Sequence, residues 1–265
     1  MSCSFLPSFG KILLILLDLS SFFIYDLLTM GIRNSTKECL IKGKKNPKLL
    51  IFGCAVIEQE LQQFQNGQTE FKFLDYGLHR TPENMAKALQ MEIDQANGKD
   101  YDGIVLGYGL CSNGIVGIHS EKHTLIVPRI HDCITLFLGS PESYNEQAAK
   151  HPGTYYLTPG WVEKGQTPIS KYESYARSYD EETARWVLHE EMKYYTRIAL
   201  IDTGVYPIES YRNIGQQNAE FLGIGYEELH GSPQLFHELV CGPWEKGFLI
   251  IGKGTPIQQE MFLDL

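Results

Sequence analysis

The stretch YDGIVLGYGLCSNGIVG (101–117) decides the reading of this chain. Its first part, YDGIVLG, is a short apolar run rich in branched residues, the pattern of a buried strand. Directly behind it come glycines at 107, 109, 114 and 117, with Cys111 among them. Glycine lets backbone turn sharply and approach another group closely. The segment is therefore either a turn that contains a thiol or a loop that holds one against something.

Working outward, LLIFGC (49–54), FKFLDY (71–76) and TLIVPRI (124–130) repeat the strand pattern on either side of 101–107. Between them lie segments of helical period. AVIEQELQQFQ (55–65) is stopped by Asn66-Gly67. Thr81-Pro82 supplies an N-cap followed by proline at the first helical position, and Met85, Leu89 and Ile93 then recur every four residues as one buried stripe. Strands that alternate with helices must run parallel, because each helix carries the chain back across the sheet.

The second half repeats the theme: TYYLTPGW (154–161) as a strand and turn, a long polar helix over 170–195, RIALIDTG (197–204) as a strand, a helix near 206–222, a short strand within 222–231, a helix near 232–240 and GFLIIG (247–252) as a last strand. The expected fold class is α/β, a parallel sheet with crossover helices, arranged as two Rossmann-like lobes facing a cleft. Residues 46–150 are assigned to the first lobe and 151–265 to the second, with 1–45 as an N-terminal extension.

At 265 residues, 43% hydrophobic and 21% charged, the chain can bury a substantial core. A net charge of −9 argues against a nucleic-acid partner, since that affinity comes from clustered Lys and Arg. Six widely spaced cysteines do not make a disulfide scaffold, which favours a reducing, cytoplasmic setting. The apolar segment 11–30 is interrupted by Asp18 and Asp26, each costing roughly 2.5–3.5 kcal/mol at the centre of a spanning helix, so no membrane association is expected. Residues 1–29 read as an extension upstream of a natural start at Met30, or else as an amphipathic or packing helix.

Three cysteines fall at three strand ends: Cys54 after the first, Cys111 after the third, and Cys133 after the fourth in PRIHDC. In an open parallel sheet the loops at the carboxyl ends of the strands converge. A metal site explains the placement, with Cys54, Cys111 and Cys133 as ligands and either Cys241 or His131 as the fourth; thiolates suit zinc or an iron–sulfur centre. Gly107, Gly109 and Gly114 would then bring bare backbone, and N–H groups, up to the cofactor. Each thiol taken singly is as well explained as a small buried hydrophobe. Cys3 and Cys39 lie ahead of the fold and are read as incidental. A different class of function is a metal-free enzyme with Cys111 as nucleophile and His131 as base. Asp132 reads as a cap for the following helix, Asp202-Thr203-Gly204 as a turn, and Tyr155, Tyr156 and Trp161 as core. GYGLCSNG offers G-x-G without the third glycine of a dinucleotide loop.

The strings FLDYGLHRTPENM, GIVLGYGLCSNGIVGI, LIVPRIHDCITLFLGSPESY, PGTYYLTPGW and IDTG together resemble the domain-of-unknown-function family numbered 1638, over roughly residues 48–252. The resemblance implies a protein of anaerobic bacteria and archaea that accompanies corrinoid-dependent methyltransferase systems. It makes a corrinoid protein or a methyltransferase the expected partner, beside a small-molecule substrate. Cys54, Cys111 and Cys133 look like the family's thiols, and Cys241 is a weaker carry-over.

Overall fold

A computed structural model describes residues 40–41 and 44–263. The apolar segment 11–30, Met30, Cys3 and Cys39 lie outside the described residues. β1 (Leu40–Ile41) and β2 (Lys44–Lys45) form a short antiparallel pair. The main sheet holds β3 (Leu49–Cys54), β4 (Thr69–Leu74), β5 (Gly103–Gly107), β6 (Leu125–Pro128) and β10 (Phe248–Ile251), in the order β10-β6-β5-β3-β4. β3 lies between β4 and β5 and is parallel to both, and β5 is parallel to β6. The fold is thus α/β with a mostly parallel sheet flanked by helices.

Why β3 is central follows from its composition. All six residues of LLIFGC are buried, which only a strand covered on both faces tolerates. The helix Pro82–Ala96 covers one face with Met85, Leu89 and Ile93, each at most 1% exposed. Side chains buried this fully are worth about 1.5–3 kcal/mol apiece. Gly53, one residue before the end of β3, sits in register with Gly107, the last residue of β5. A Cβ on either glycine would press on Cδ1 of Ile57, so the pair makes room for the turn Ala55–Ile57 that follows β3.

A second layer is built on β7 (Thr154–Leu157), β8 (Arg197–Asp202) and β9 (Gly225–His230), all parallel, in the order β7-β8-β9. β8 shows how it joins the first. Ala199 and Ile201 belong to the core of the main sheet, while Ile198 and Leu200 belong to a second core under the helices Glu181–Met192 and Glu209–Leu222. β10 then returns to the main sheet, antiparallel to β6, and the helix Gln234–Cys241 also packs in the first core through Phe236, Leu239 and Val240.

Helix starts follow from local chemistry. Ser140, Thr158 and Thr167 each precede a proline and accept a hydrogen bond from a backbone N–H three residues on. The long polar helix expected over 170–195 is two helices, Pro168–Ser178 and Glu181–Met192. Asp180 divides them by capping the Thr183 N–H at 2.9 Å, which requires extended backbone at that residue. Tyr155 and Trp161 serve the core as expected, both donating to the carbonyl of Gln166. Asp202 accepts from the Gly204 N–H at 2.8 Å, making DTG a turn.

The layers meet where the helix Pro159–Lys164 touches the turn Ala55–Ile57. A Cβ at position 160 would overlap the carbonyl oxygen of Val56. Gly160→Ala is therefore expected to cost about 1–3 kcal/mol in urea unfolding, because backbone on both sides must shift. An unchanged midpoint would show that this junction gives freely.

Glu60 lies in the same region, fully buried, with Oε1 3.5 Å from the Thr203 hydroxyl and Oε2 unpartnered. Burial is the main cause that lifts its pKa from 4.5 to about 7, and Glu163 adds to it. The folded chain therefore holds this proton more tightly than the unfolded one. The sign is that stability is highest below pH 4.5 and falls as pH rises towards 7, by an amount on the order of 3 kcal/mol. Glu60→Gln is expected to flatten that decline and to match or exceed wild type at pH 8, read from urea midpoints across pH; an unaltered slope would mean that Glu60 is ionised when folded.

Candidate metal centre

Each of the four parallel strands of the main sheet delivers, at or beyond its carboxyl end, one residue of a type that can ligate a metal. Cys54 is the last residue of β3, His79 follows β4, Cys111 follows β5 and Cys133 follows β6. Two backbone hydrogen bonds zip the β5 loop to the β6 loop: Leu110 N–H to the Ile130 carbonyl and Cys111 N–H to the His131 carbonyl, both 2.9 Å. They bring two thiols that are 22 residues apart in sequence to an Sγ–Sγ distance of 3.4 Å.

The loop has an unusual backbone. Cys111, Ser112 and Asn113 have φ of 46°, 56° and 67°, three successive residues other than glycine in the left-handed region. Such a conformation costs roughly 1–2 kcal/mol per residue and persists only where surroundings impose it. Gly109 shows what imposes it: a Cβ there would lie 3.0 Å from N and Cα of Asp132, so the two loops are packed backbone to backbone. The Gly109 N–H is in turn directed at the sulfurs of Cys111 and Cys133.

The Cys111 and Cys133 sulfurs and one ring nitrogen of His79 all lie within 4.8 Å of one another. Around one tetrahedral zinc, with Zn–S about 2.3 Å and Zn–N about 2.0–2.1 Å, donor atoms stand roughly 3.5–3.8 Å apart. The group thus approaches the dimensions of a ligand set. Cys54 is outside this mutually close trio but adjoins it, with its Sγ 3.9 Å from His79 Nδ1. The same Nδ1 lies 3.3 Å from the Tyr76 carbonyl.

Charge is redistributed across the cluster. The hydrogen bond from Cys111 lowers the Cys133 thiol against the upward push of burial, and His79 lowers it further. Cys111 is raised well above its usual range by that same bond, by burial and by Asp132. Burial alone pulls His79 down, but contacts with Cys133 and Cys54 outweigh it and hold the imidazole at about 10. Tyr108, buried with its ring 5.9 Å from that of His79, is raised chiefly by burial and further by its closeness to the three cysteines. These directions favour negative charge on Cys133 and positive charge on His79, and a divalent cation would replace the imidazolium proton as counter-charge.

Among the sequence-derived candidates, Cys111 and Cys133 are brought together and Cys54 is their neighbour through His79. Cys241 ends the helix Gln234–Cys241, packs against the first core and does not join the trio. His131 is exposed and meets Cys111 through its carbonyl; the imidazole of the cluster is His79. Asp132 caps the next helix as expected, accepting from Ile134 N–H at 2.8 Å while Tyr144 donates to its other oxygen at 2.7 Å. Gly109 lies at the sulfurs, Gly107 makes room for Ile57, and Gly114 makes room for the end of Met85. His79 escaped sequence reading although the strand-end rule applies to it equally: it lies in the 3-10 turn Tyr76–Arg80, directly after β4 and Asp75.

A family model described as "Protein of unknown function (DUF1638)" matches residues 73–240. The chain belongs to this family. The matched span contains His79, Cys111 and Cys133, with Cys54 ahead of it and Cys241 directly beyond. No curated protein and no solved structure matches the chain. No helix among the described residues is long and apolar enough to cross a membrane.

Ser112 is exposed and left-handed, so its side chain has little to lose. Ser112→Gly is expected to raise stability by about 0.5–1 kcal/mol, the left-handed cost less glycine's own entropy. A lower urea midpoint would show that the loop is not strained there.

Proposed function

We propose that this protein binds a transition-metal ion through His79, Cys111 and Cys133, with Cys54 placed to complete the set. The observation that supports this most is the approach of three donor atoms, from the loops that follow three different strands, to within 4.8 Å. Zinc is the preferred ion. One imidazole with two or three thiolates is a common zinc donor set, whereas iron–sulfur clusters are held mainly by four cysteines. The backbone donor at Gly109 and the counter-charge of the metal both favour deprotonated sulfurs, the form a metal needs.

The centre takes one of two forms. If Cys54 moves in as fourth ligand, the site is closed and contributes to folding. If Cys54 stays against His79, one position is left for a substrate, and the metal would act as a Lewis acid that lowers the pKa of a bound thiol or water. The open form is the one compatible with a methyl-accepting thiol and a corrinoid-protein partner; that finer reading draws on the family resemblance alone.

The full chain, purified reduced and without oxygen, is expected to retain one equivalent of zinc by elemental analysis. His79→Ala, Cys111→Ser and Cys133→Ser should each weaken zinc affinity by at least about 100-fold, more than loss of a supporting residue does. Cys241→Ser and His131→Ala should leave it unchanged. Cys54→Ser separates the forms: a loss as large as for Cys133→Ser indicates the closed site, and a small one the open site. Zinc that survives the double replacement of Cys111 and Cys133 would overturn the proposal, as would a reduced wild-type chain that binds no metal.

A further inference from the structure

We infer that the metal-free centre is also a reactive dithiol, which small disulfides oxidise to an intramolecular Cys111–Cys133 disulfide. The inference shares side chains with the metal reading but stands without a metal.

Three observations carry it. The two sulfurs are 3.4 Å apart, and a disulfide needs about 2.05 Å, so each sulfur has to move well under an ångström towards the other. Their loops are tied by the backbone bonds from Leu110 and Cys111, so proximity is built into the main chain rather than left to side-chain rotamers. Both cysteines are partly accessible, and Ser112, Asn113 and His131 next to them are exposed, which gives a small reagent a way in. Cys54 differs on this last point: it is 1% exposed and inaccessible to a disulfide from solvent.

The chemistry balances with a disulfide R–S–S–R as oxidant. One of the two cysteines gives up its proton and its sulfur attacks one sulfur of the reagent; a protein–S–S–R bond forms, the R–S–S–R bond breaks, and R–S⁻ leaves with its electron pair. The other cysteine then gives up its proton, its sulfur attacks the first cysteine's Sγ, and a second R–S⁻ leaves as the Cys111–Cys133 bond forms. The protein loses two electrons and the two thiol protons, and the reagent departs as two R–SH. Bound zinc would occupy both sulfurs, so metal and oxidation exclude each other.

The test uses the full chain, reduced and stripped of metal, treated with hydroxyethyl disulfide, followed by alkylation and peptide mapping. Expected is a Cys111–Cys133 linkage in wild type, with release of two thiols per chain. In Cys111→Ser the reaction should stop at a mixed disulfide on Cys133, and in Cys133→Ser at a mixed disulfide on Cys111, each with release of one thiol per chain. Preloading with zinc should suppress the wild-type reaction. The inference is overturned if Cys111 and Cys133 both persist as thiols in excess reagent, if the linkage involves Cys54 instead, or if either serine variant still releases two thiols per chain. Zinc binding measured on the same reduced sample keeps the two proposals apart: a chain that binds zinc but forms no linkage refutes this one alone, and a chain that forms the linkage but binds no zinc refutes only the metal centre.

Discussion

Parallel pairing around β3 is the constraint on which the rest of the structure depends. Because β4, β3, β5 and β6 run in one direction, all four strands release their chains at one edge. Main-chain hydrogen bonds fix the lateral spacing of those exits, so residues from positions 54 to 133 share one small volume. The order β6-β5-β3-β4 places the reversal of strand order between β3 and β5, and the crevice outside such a reversal is where open α/β sheets hold ligands. Cys54 and Cys111 leave the sheet on the two strands that flank it.

What fills that volume is costly when left alone. Two thiols, an imidazole and the buried hydroxyl of Tyr108 are packed together, and the loop carrying Cys111 is held in a left-handed conformation over three residues. The two loops can sustain this because they are locked backbone to backbone at Gly109 and Asp132, and because the main sheet behind them is covered on both faces. Strain concentrated at one point of a well-packed scaffold is the usual physical sign of a site where binding or reaction takes place. A metal ion would give the sulfurs a common counter-ion, and a disulfide would leave them without a charge to balance.

The second layer supports this edge from a distance. β8 lends Ala199 and Ile201 to the core of the main sheet, so the two sheets are not independent modules joined by a linker. The contact between Gly160 and Val56 lies on the turn immediately after Cys54, and Glu60 is buried one helical turn further on. Movement at this junction would therefore reach β3 and the residue that adjoins His79. The return of β10 and of the helix Gln234–Cys241 to the first core closes the chain around the same sheet.

The amino-acid sequence by itself determined the elements and most of their order. LLIFGC, GIVLG and LIVP are buried on both faces and read as strands because the apolar runs are short and bounded by glycine or turns; Met85, Leu89 and Ile93 read as a helix because their spacing is four. The same local signals placed Cys54, Cys111 and Cys133 at strand ends. They did not divide the long polar segment at Asp180, since a single capping side chain there outweighs a helical pattern on both sides. Only the tertiary structure decided which imidazole joins the thiols. His79 lies in polar sequence that reads as an ordinary loop, and it reaches the cluster because β4 pairs beside β3. His131 is next to Cys133 in the chain, yet the bond from Cys111 N–H engages its carbonyl and leaves the residue exposed. Cys241 was set apart by the packing of a helix from the far end of the chain. Periodicity reports on a few neighbouring residues, whereas convergence at a sheet edge is fixed by hydrogen bonds between segments that no local pattern connects.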